Sequence, residues 1–164
     1  MIKKERMLNK LHQHHLGKTN GRSNTIINRD GLQNSDNWQT PDWLYNKLNA
    51  EFNFDYDPCP LNADFDGLKT EWGKSNFVNP PYNARDKPKF IKKGFEEWQK
   101  GKTVVFLIPA STSTKLFHEL ILPNAEIRFI KGRIRFRGIN SKGLYSTKYV
   151  GKHDSMICIF RGVS

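Results

Sequence analysis

Four consecutive residues, Asn79-Pro80-Pro81-Tyr82, carry the clearest chemistry in this chain, and the apolar pair Phe77-Val78 before them places them at the end of a strand. An Asn side-chain carbonyl beside a backbone carbonyl that precedes proline sets two acceptors next to each other, matched to the two hydrogens of an exocyclic amine. Tyr82 adds a flat aromatic face for the ring that bears the amine. The two prolines lack N–H groups and fix φ, so the turn is stiff and its acceptors stay aimed. Read alone, such a tetrapeptide is equally an ordinary proline turn after an edge strand. The clamp fits an adenine amine, a cytosine amine or a glutamine amide alike. Asn79 and Tyr82 are read as site residues outside the core.

The elements that must hold this turn follow from local signals. Thr40 reads as an N-cap and Pro41 as the first residue of a helix running to about Ala50. Phe52-Asn53-Phe54-Asp55-Tyr56-Asp57 alternates apolar and polar and stops at Pro58, as a strand ending in a carboxylate would. A turn-rich stretch, Cys59 to Ser75, leads to the strand Asn76–Val78. Pro88 opens a second helix through about Gln99, with Phe90, Ile91, Phe95 and Trp98 at helical spacing. The continuous apolar run Thr103–Ile108 is that of a central strand covered on both faces, and it ends at Pro109-Ala110. A third helix is expected over Ser113–Leu120, with His118 packed on its face.

Further strands are expected over Ile127–Ile130, Ile134–Phe136 and Met156–Phe160, the last two separated by the long polar loop Gly138–His153. This order predicts an α/β sheet of mixed sense with a C-terminal β-hairpin. Ligands of open α/β sheets lie outside the carboxyl ends of the strands, so Asp57, Asn79 and Pro109 are expected to share one crevice. No GxGxxG is present, which removes a dinucleotide fingerprint.

The 164 residues suit one domain, and the net charge of +11 is unevenly spread. Residues 1–35 carry 7 basic and 2 acidic side chains, residues 36–100 carry 9 and 11, and residues 101–164 carry 11 and 3. Basic flanks suit a phosphate backbone, while an acidic middle suits a cationic small molecule. In the last third, Arg128, Lys131, Arg133, Arg135 and Arg137 are interleaved with Phe129, Ile130, Ile134 and Phe136, and strand alternation puts the last three arginines on one face. Residues 1–35 read as a mobile basic arm with a short helix over Lys4–His15, and residues 36–164 as the folded domain. His12, His14 and His15 lack nearby Cys or carboxylate partners, so no metal is expected. Cys59 and Cys158 are too far apart in sequence for a CxxC motif. No stretch is long enough to cross a bilayer and the N-terminus has no apolar h-region, which predicts a soluble cytoplasmic protein.

Trp38-Gln39-Thr40-Pro41, Phe54-Asp55-Tyr56-Asp57-Pro58-Cys59, Asp66-Gly67-Leu68 followed by Trp72, Asn79-Pro80-Pro81-Tyr82, Leu107-Ile108-Pro109-Ala110, Phe117-His118, Gly132-Arg133-Ile134-Arg135-Phe136 and Ser155-Met156-Ile157 stand in that order. From Asp36 to the C-terminus the chain thereby resembles the phage-type DNA N-6-adenine methyltransferases. The resemblance implies a reduced Rossmann-like class I methyltransferase sheet, S-adenosyl-L-methionine as cofactor, double-stranded DNA as partner, and methyl transfer to the 6-amino group of a flipped adenine at Asn79, Pro80, Pro81 and Tyr82. A cytosine N-4 methyltransferase, or a degenerate DNA-binding relative, is the alternative.

The resemblance also implies roles residue by residue. Trp38, Thr40 and Pro41 match the motif whose helix start holds the methionine carboxylate. Asp57 matches the acidic residue near the methionyl amine, with Pro58 and Cys59 as the adjoining wall, and Asp66, Gly67 and Leu68 match the residues that meet the cofactor's adenine. The segment between Cys59 and Asp66 is shorter than in such relatives, which leaves Asp64 as the carboxylate for a ribose. Lys131, Arg133, Arg135 and Arg137, with Lys142, Tyr145, Lys148, Tyr149 and Lys152 of the polar loop, fall where such enzymes reach for DNA. A monomer in a bacterial host, of phage or prophage origin, completes the expectation.

Overall fold

The computed structural model describes residues 38–61, 63–139 and 145–163. In chain order the elements are β1 (Trp38–Gln39), α1 (Asp42–Phe52), β2 (Ser75–Val78), α2 (Lys87–Gln99), β3 (Thr103–Pro109), a π-helical turn (Phe117–Ile121), β4 (Glu126–Phe129), β5 (Arg135–Ile139), β6 (Tyr145–Val150) and β7 (Ser155–Phe160). The N-terminal arm, with the helix expected over Lys4–His15 and with His12, His14 and His15, lies outside the described residues.

The mixed α/β character expected from the element order is present. Four strands form a sheet in the order β2-β3-β7-β4, in which β2 and β3 run parallel and β7 is antiparallel to both β3 and β4. Along β3, Val104, Phe106 and Ile108 face one apolar cluster and Val105 and Leu107 face another, as the two-residue period of a strand requires. The first cluster takes Phe90 and Ile91 from α2, and the second takes Leu44 and Leu48 from α1. Both faces are therefore covered, which is why the run reads as continuously apolar. Helix α2 comes close to β3 at Gly94, where a Cβ would lie 2.3 Å from Cζ of Phe106.

Four expectations are corrected. The strand over Phe52–Asp57 is reduced to a parallel bridge between Tyr56 and Asn76, because Phe52 closes α1 and Asn53 turns the chain in the left-handed region at φ 49°. The Tyr56 carbonyl still accepts from the Phe77 N–H at 3.0 Å, so the segment borders β2 as anticipated. The helix starts one residue later than expected: Pro41 is its N-cap, and the Pro41 carbonyl accepts from the N–H groups of Leu44 and Tyr45 at 3.1 Å each.

The polar loop Gly138–His153 contains a strand. Tyr145–Val150 pairs antiparallel with β5, whose other edge takes β1 in the register Trp38↔Gly138 and Gln39↔Arg137. These form a second sheet, β1-β5-β6, and the Tyr, Thr and Val content of Tyr145–Val150 suits a strand despite its polarity. The third helix is wound as a π-turn in which the Leu122 N–H donates to the Phe117 carbonyl at 2.8 Å. The wider winding buries both Phe117 and Ile121, while His118, expected to pack, is exposed.

Candidate functional site

A cavity of about 740 Å³ opens at the carboxyl end of β2, bounded by the start of α1, the loop from Asp57 to Gly67 and Phe90 of α2. That volume falls in the range of roughly 300–1,000 Å³ typical of small-molecule sites. The predicted residues Thr40, Asp57, Pro58, Cys59, Asp66, Gly67, Asn79 and Pro81 line it. Pro41, Leu68, Pro80 and Tyr82 do not. Pro109, expected in the same crevice, is also absent from the lining. The Trp38 side chain lies outside the described residues, although its backbone is in β1.

Asp57 sits where the chain leaves the Tyr56 bridge. Its Oδ1 accepts from the Cys59 N–H at 2.8 Å. Burial pushes its carboxyl up to about 6, and this hydrogen bond only partly opposes the rise. Cys59 is held as an un-ionised thiol, chiefly by burial and then by the neighbouring Asp57 charge. The loop returns at Gly67, where a Cβ would lie 1.9 Å from the Pro58 carbonyl oxygen, so no larger residue allows the loop to close this tightly. The Gly67 carbonyl in turn accepts from the buried Trp72 indole N–H at 2.8 Å. Asp66 is exposed, and its Oδ1 caps the Leu68 N–H at 3.0 Å.

Across the cavity, the Asn79 amide nitrogen donates to the Thr40 hydroxyl at 3.2 Å. Thr40 is 6% exposed, so this bond fixes the amide from a buried anchor and sets its carbonyl arm on the opposite side of the group. Tyr82 is placed beneath the turn: its hydroxyl donates to the Leu107 carbonyl at 3.4 Å, and its ring meets Phe136 edge-on at 6.2 Å. Reading Tyr82 as outside the core is therefore corrected, since it packs against the apolar cluster shared by α1, β3 and β5.

Sequence reasoning missed Asp42, Tyr45 and Asn46, which also line the cavity. Their i, i+3, i+4 spacing on α1 was the available signal. The Tyr45 hydroxyl is pushed up by burial and then by the Asp57 charge, which puts it within electrostatic reach of that carboxylate. Phe65 and Leu61 add apolar rim to the side that carries Asp66.

Residues 29–164 match the model of the family described as DNA N-6-adenine-methyltransferase (Dam). The chain belongs to this family. A DNA N-6-adenine-methyltransferase of Escherichia phage T1 is 39% identical over 66 residues, a stretch that covers 39% of this chain and 27% of the phage protein. No solved structure matches.

The family's expected DNA-contacting residues fare differently from one another. Ile134 and Phe136 are buried and Arg133 and Arg135 exposed, as the alternation required. Arg133 nevertheless turns to its own fold, pairing with Asp154 at 3.0 Å and donating to the Gly151 and Lys152 carbonyls. Arg137 forms a two-pronged pair with Asp42. Arg135 has no ion pair among the described residues, and Lys131 and Lys152 are exposed. The backbones of Tyr145, Lys148 and Tyr149 lie in β6, while their side chains, and all of Lys142, lie outside the described residues. Arg128 of β4 is bound to Glu51 of α1 and to Glu126 of its own strand. Among the described residues, no group of His, Cys, Asp and Glu could hold a metal ion, and no helix is long and apolar enough to cross a membrane.

Proposed function

We propose that this chain transfers the methyl group of S-adenosyl-L-methionine to the 6-amino group of adenine in double-stranded DNA, on a reduced Rossmann-like sheet. The observation that carries the reading is the placement of Asp57 and Asn79 on one cavity, at the ends of adjacent extended segments, in a chain of the DNA N-6-adenine-methyltransferase (Dam) family.

The cavity suits the cofactor chemically. Asp57 is a desolvated carboxylate whose side chain receives one backbone N–H, so a cationic amine beside it would supply the missing partner. Thr40 accepts from Asn79 and keeps its own hydroxyl hydrogen to donate to a carboxylate. Pro58, Cys59 and Gly67 form a close wall, with Phe65 and Leu61 as an apolar rim for a flat base. When bound, the cofactor supplies an already activated methyl group, so no residue here has to act as a strong base.

Asn79 then has the task of orientation. Its side-chain carbonyl and the Pro80 backbone carbonyl are the acceptors for the two hydrogens of the target amine, drawing the nitrogen lone pair out of conjugation. Because the amide is held by Thr40, this geometry is set before substrate arrives. The target must first leave the helical stack, at a cost of a few kcal/mol. Arg135, Lys131 and Lys152 are the exposed cations suited to the flanking phosphates.

Incubation with methyl-labelled S-adenosylmethionine and duplex DNA, followed by nucleoside analysis of the digest, tests the proposal. Label in N6-methyladenine is expected, and Asn79→Ala should lower its yield by about 100-fold or more. Label in N4-methylcytosine would overturn the choice of base, and an unlabelled digest would overturn the enzyme reading.

A further inference from the structure

Two adjacent residues of β5 reach the two halves of the site. The Phe136 ring meets Tyr82 of the catalytic turn edge-on at 6.2 Å. Arg137 reaches the cofactor half, where its Nη1 donates to Asp42 Oδ2 at 2.8 Å and its Nη2 to Asp42 Oδ1. The contact follows from register. Gln39 of β1 is paired with Arg137, and Thr40-Pro41 then turn the chain into α1, so that Asp42 at its start comes within reach of the Arg137 side chain. Gln39, Thr40 and Asp42 all line the cavity, whereas Arg137 does not.

We infer that Arg137 is a positioning residue, which ties the Gln39–Asp42 wall of the cofactor cavity to the β5–β6 hairpin and thereby makes cofactor affinity depend on that hairpin. The inference rests on the reading of this cavity as the S-adenosylmethionine site. Its physical basis is the bidentate fork: a guanidinium bonded to both carboxylate oxygens fixes orientation as well as distance, which a lysine cannot do. Thr40 shares the short segment so fixed, and Thr40 anchors the Asn79 amide, so one strut serves both cofactor wall and target clamp. By reciprocity, whatever biases the strut from the cofactor side also biases the hairpin from the DNA side.

The test is calorimetric titration of S-adenosylmethionine into the DNA-free protein. Arg137→Ala is expected to weaken binding roughly three- to fivefold, the scale of a partly exposed but well-formed ion pair. Adding Arg137→Ala to Asp42→Ala should cause no further loss, since the two residues act as one unit. Arg135→Ala, on the same strand, should leave this DNA-free affinity unchanged while weakening DNA binding. Arg137→Lys keeps the charge and guards against a folding defect; its loss should have the same direction and a smaller size. Arg137→Ala with wild-type cofactor affinity and a DNA defect like that of Arg135→Ala would overturn the inference and make Arg137 an ordinary phosphate contact. A wild-type protein that binds no S-adenosylmethionine would instead overturn the cofactor reading itself, a result visible before any variant is made.

Discussion

Charge is handled in opposite ways in the ion-paired framework of this molecule and at its candidate site. At the edge formed by β4 and the C-terminal segment, Arg128 and Arg161 each pair with both Glu51 and Glu126, and both guanidinium groups lie over the Phe52 ring, at 5.8 and 5.1 Å. Near the end of α2, Glu97 is 1% exposed and is met by Lys93, Lys100 and Lys102. In the cavity, by contrast, Asp57 has no cation beside it among the described residues, and on β5 the exposed Arg135 has no ion-pair partner among them. Charges that already have partners hold the fold. Charges left without a partner are where a ligand has something to add. The same contrast explains why a raw count of basic residues overstates the cations available to any ligand: Arg128, Arg133 and Arg137 are engaged internally.

The strongest test of this division is Glu97→Ala. Burial alone would push the Glu97 carboxyl up, but hydrogen bonds from Lys100, Lys102 and Lys93 hold it at about 2. Glu97→Ala leaves three lysines that reach solvent rather than a buried unpaired charge, so chemical denaturation should show a loss of about 1–3 kcal/mol from the lost charged hydrogen bonds. A variant as stable as wild type would show that the network is decorative.

Asp57→Asn should do the opposite. It removes a desolvated carboxylate, so stability at pH 8 should hold or rise, while affinity for S-adenosylmethionine should fall roughly 10- to 100-fold with the loss of a charged hydrogen bond. A stability loss without an affinity loss would move Asp57 to the structural side of the comparison.

The pH dependences should also run in opposite directions. The Asp57 pKa is raised to about 6, so its contribution to stability is fully present below the ordinary carboxylate value and is lost as pH rises through about 6. The Glu97 and Glu51 pKa values are lowered to about 2, so their contributions are present above the ordinary carboxylate range and are lost as pH falls towards 2. If Asp57 meets the cationic amine of the cofactor as proposed, affinity requires its ionised form and should decline as pH drops below about 6. Calorimetry at pH 5 and pH 7.5 checks this, and equal affinities would separate Asp57 from the cationic amine.

The smallest effect is expected on DNA. Arg135→Ala should weaken binding to all sequences and reduce the slope of log affinity against log salt by about one, whereas Arg128→Ala should leave that slope unchanged. Equal slopes for both variants would dissolve the distinction between spent and available arginines.

The sequence by itself determined what depends on neighbours along the chain. The stiff Asn79-Pro80-Pro81-Tyr82 turn, the buried run of β3, the apolar spacing of α2 and the alternation of Ile134 and Phe136 with arginines are all local, and periodicity or proline chemistry reports them directly. It also placed Asp57 and Asn79 together, because parallel neighbouring segments end at the same edge of a sheet. Tertiary structure decided everything that turns on distant partners. Asp42 lies 95 residues before Arg137, and Glu51 lies 77 and 110 residues before Arg128 and Arg161, separations across which no sequence period carries information. The same holds for β1 joining β5 to make a second sheet, and for Tyr82 settling against Phe136. A side chain's face can be read from the strand it sits in, but whether a charge on that face is free for a ligand depends on which carboxylates folding brings within reach.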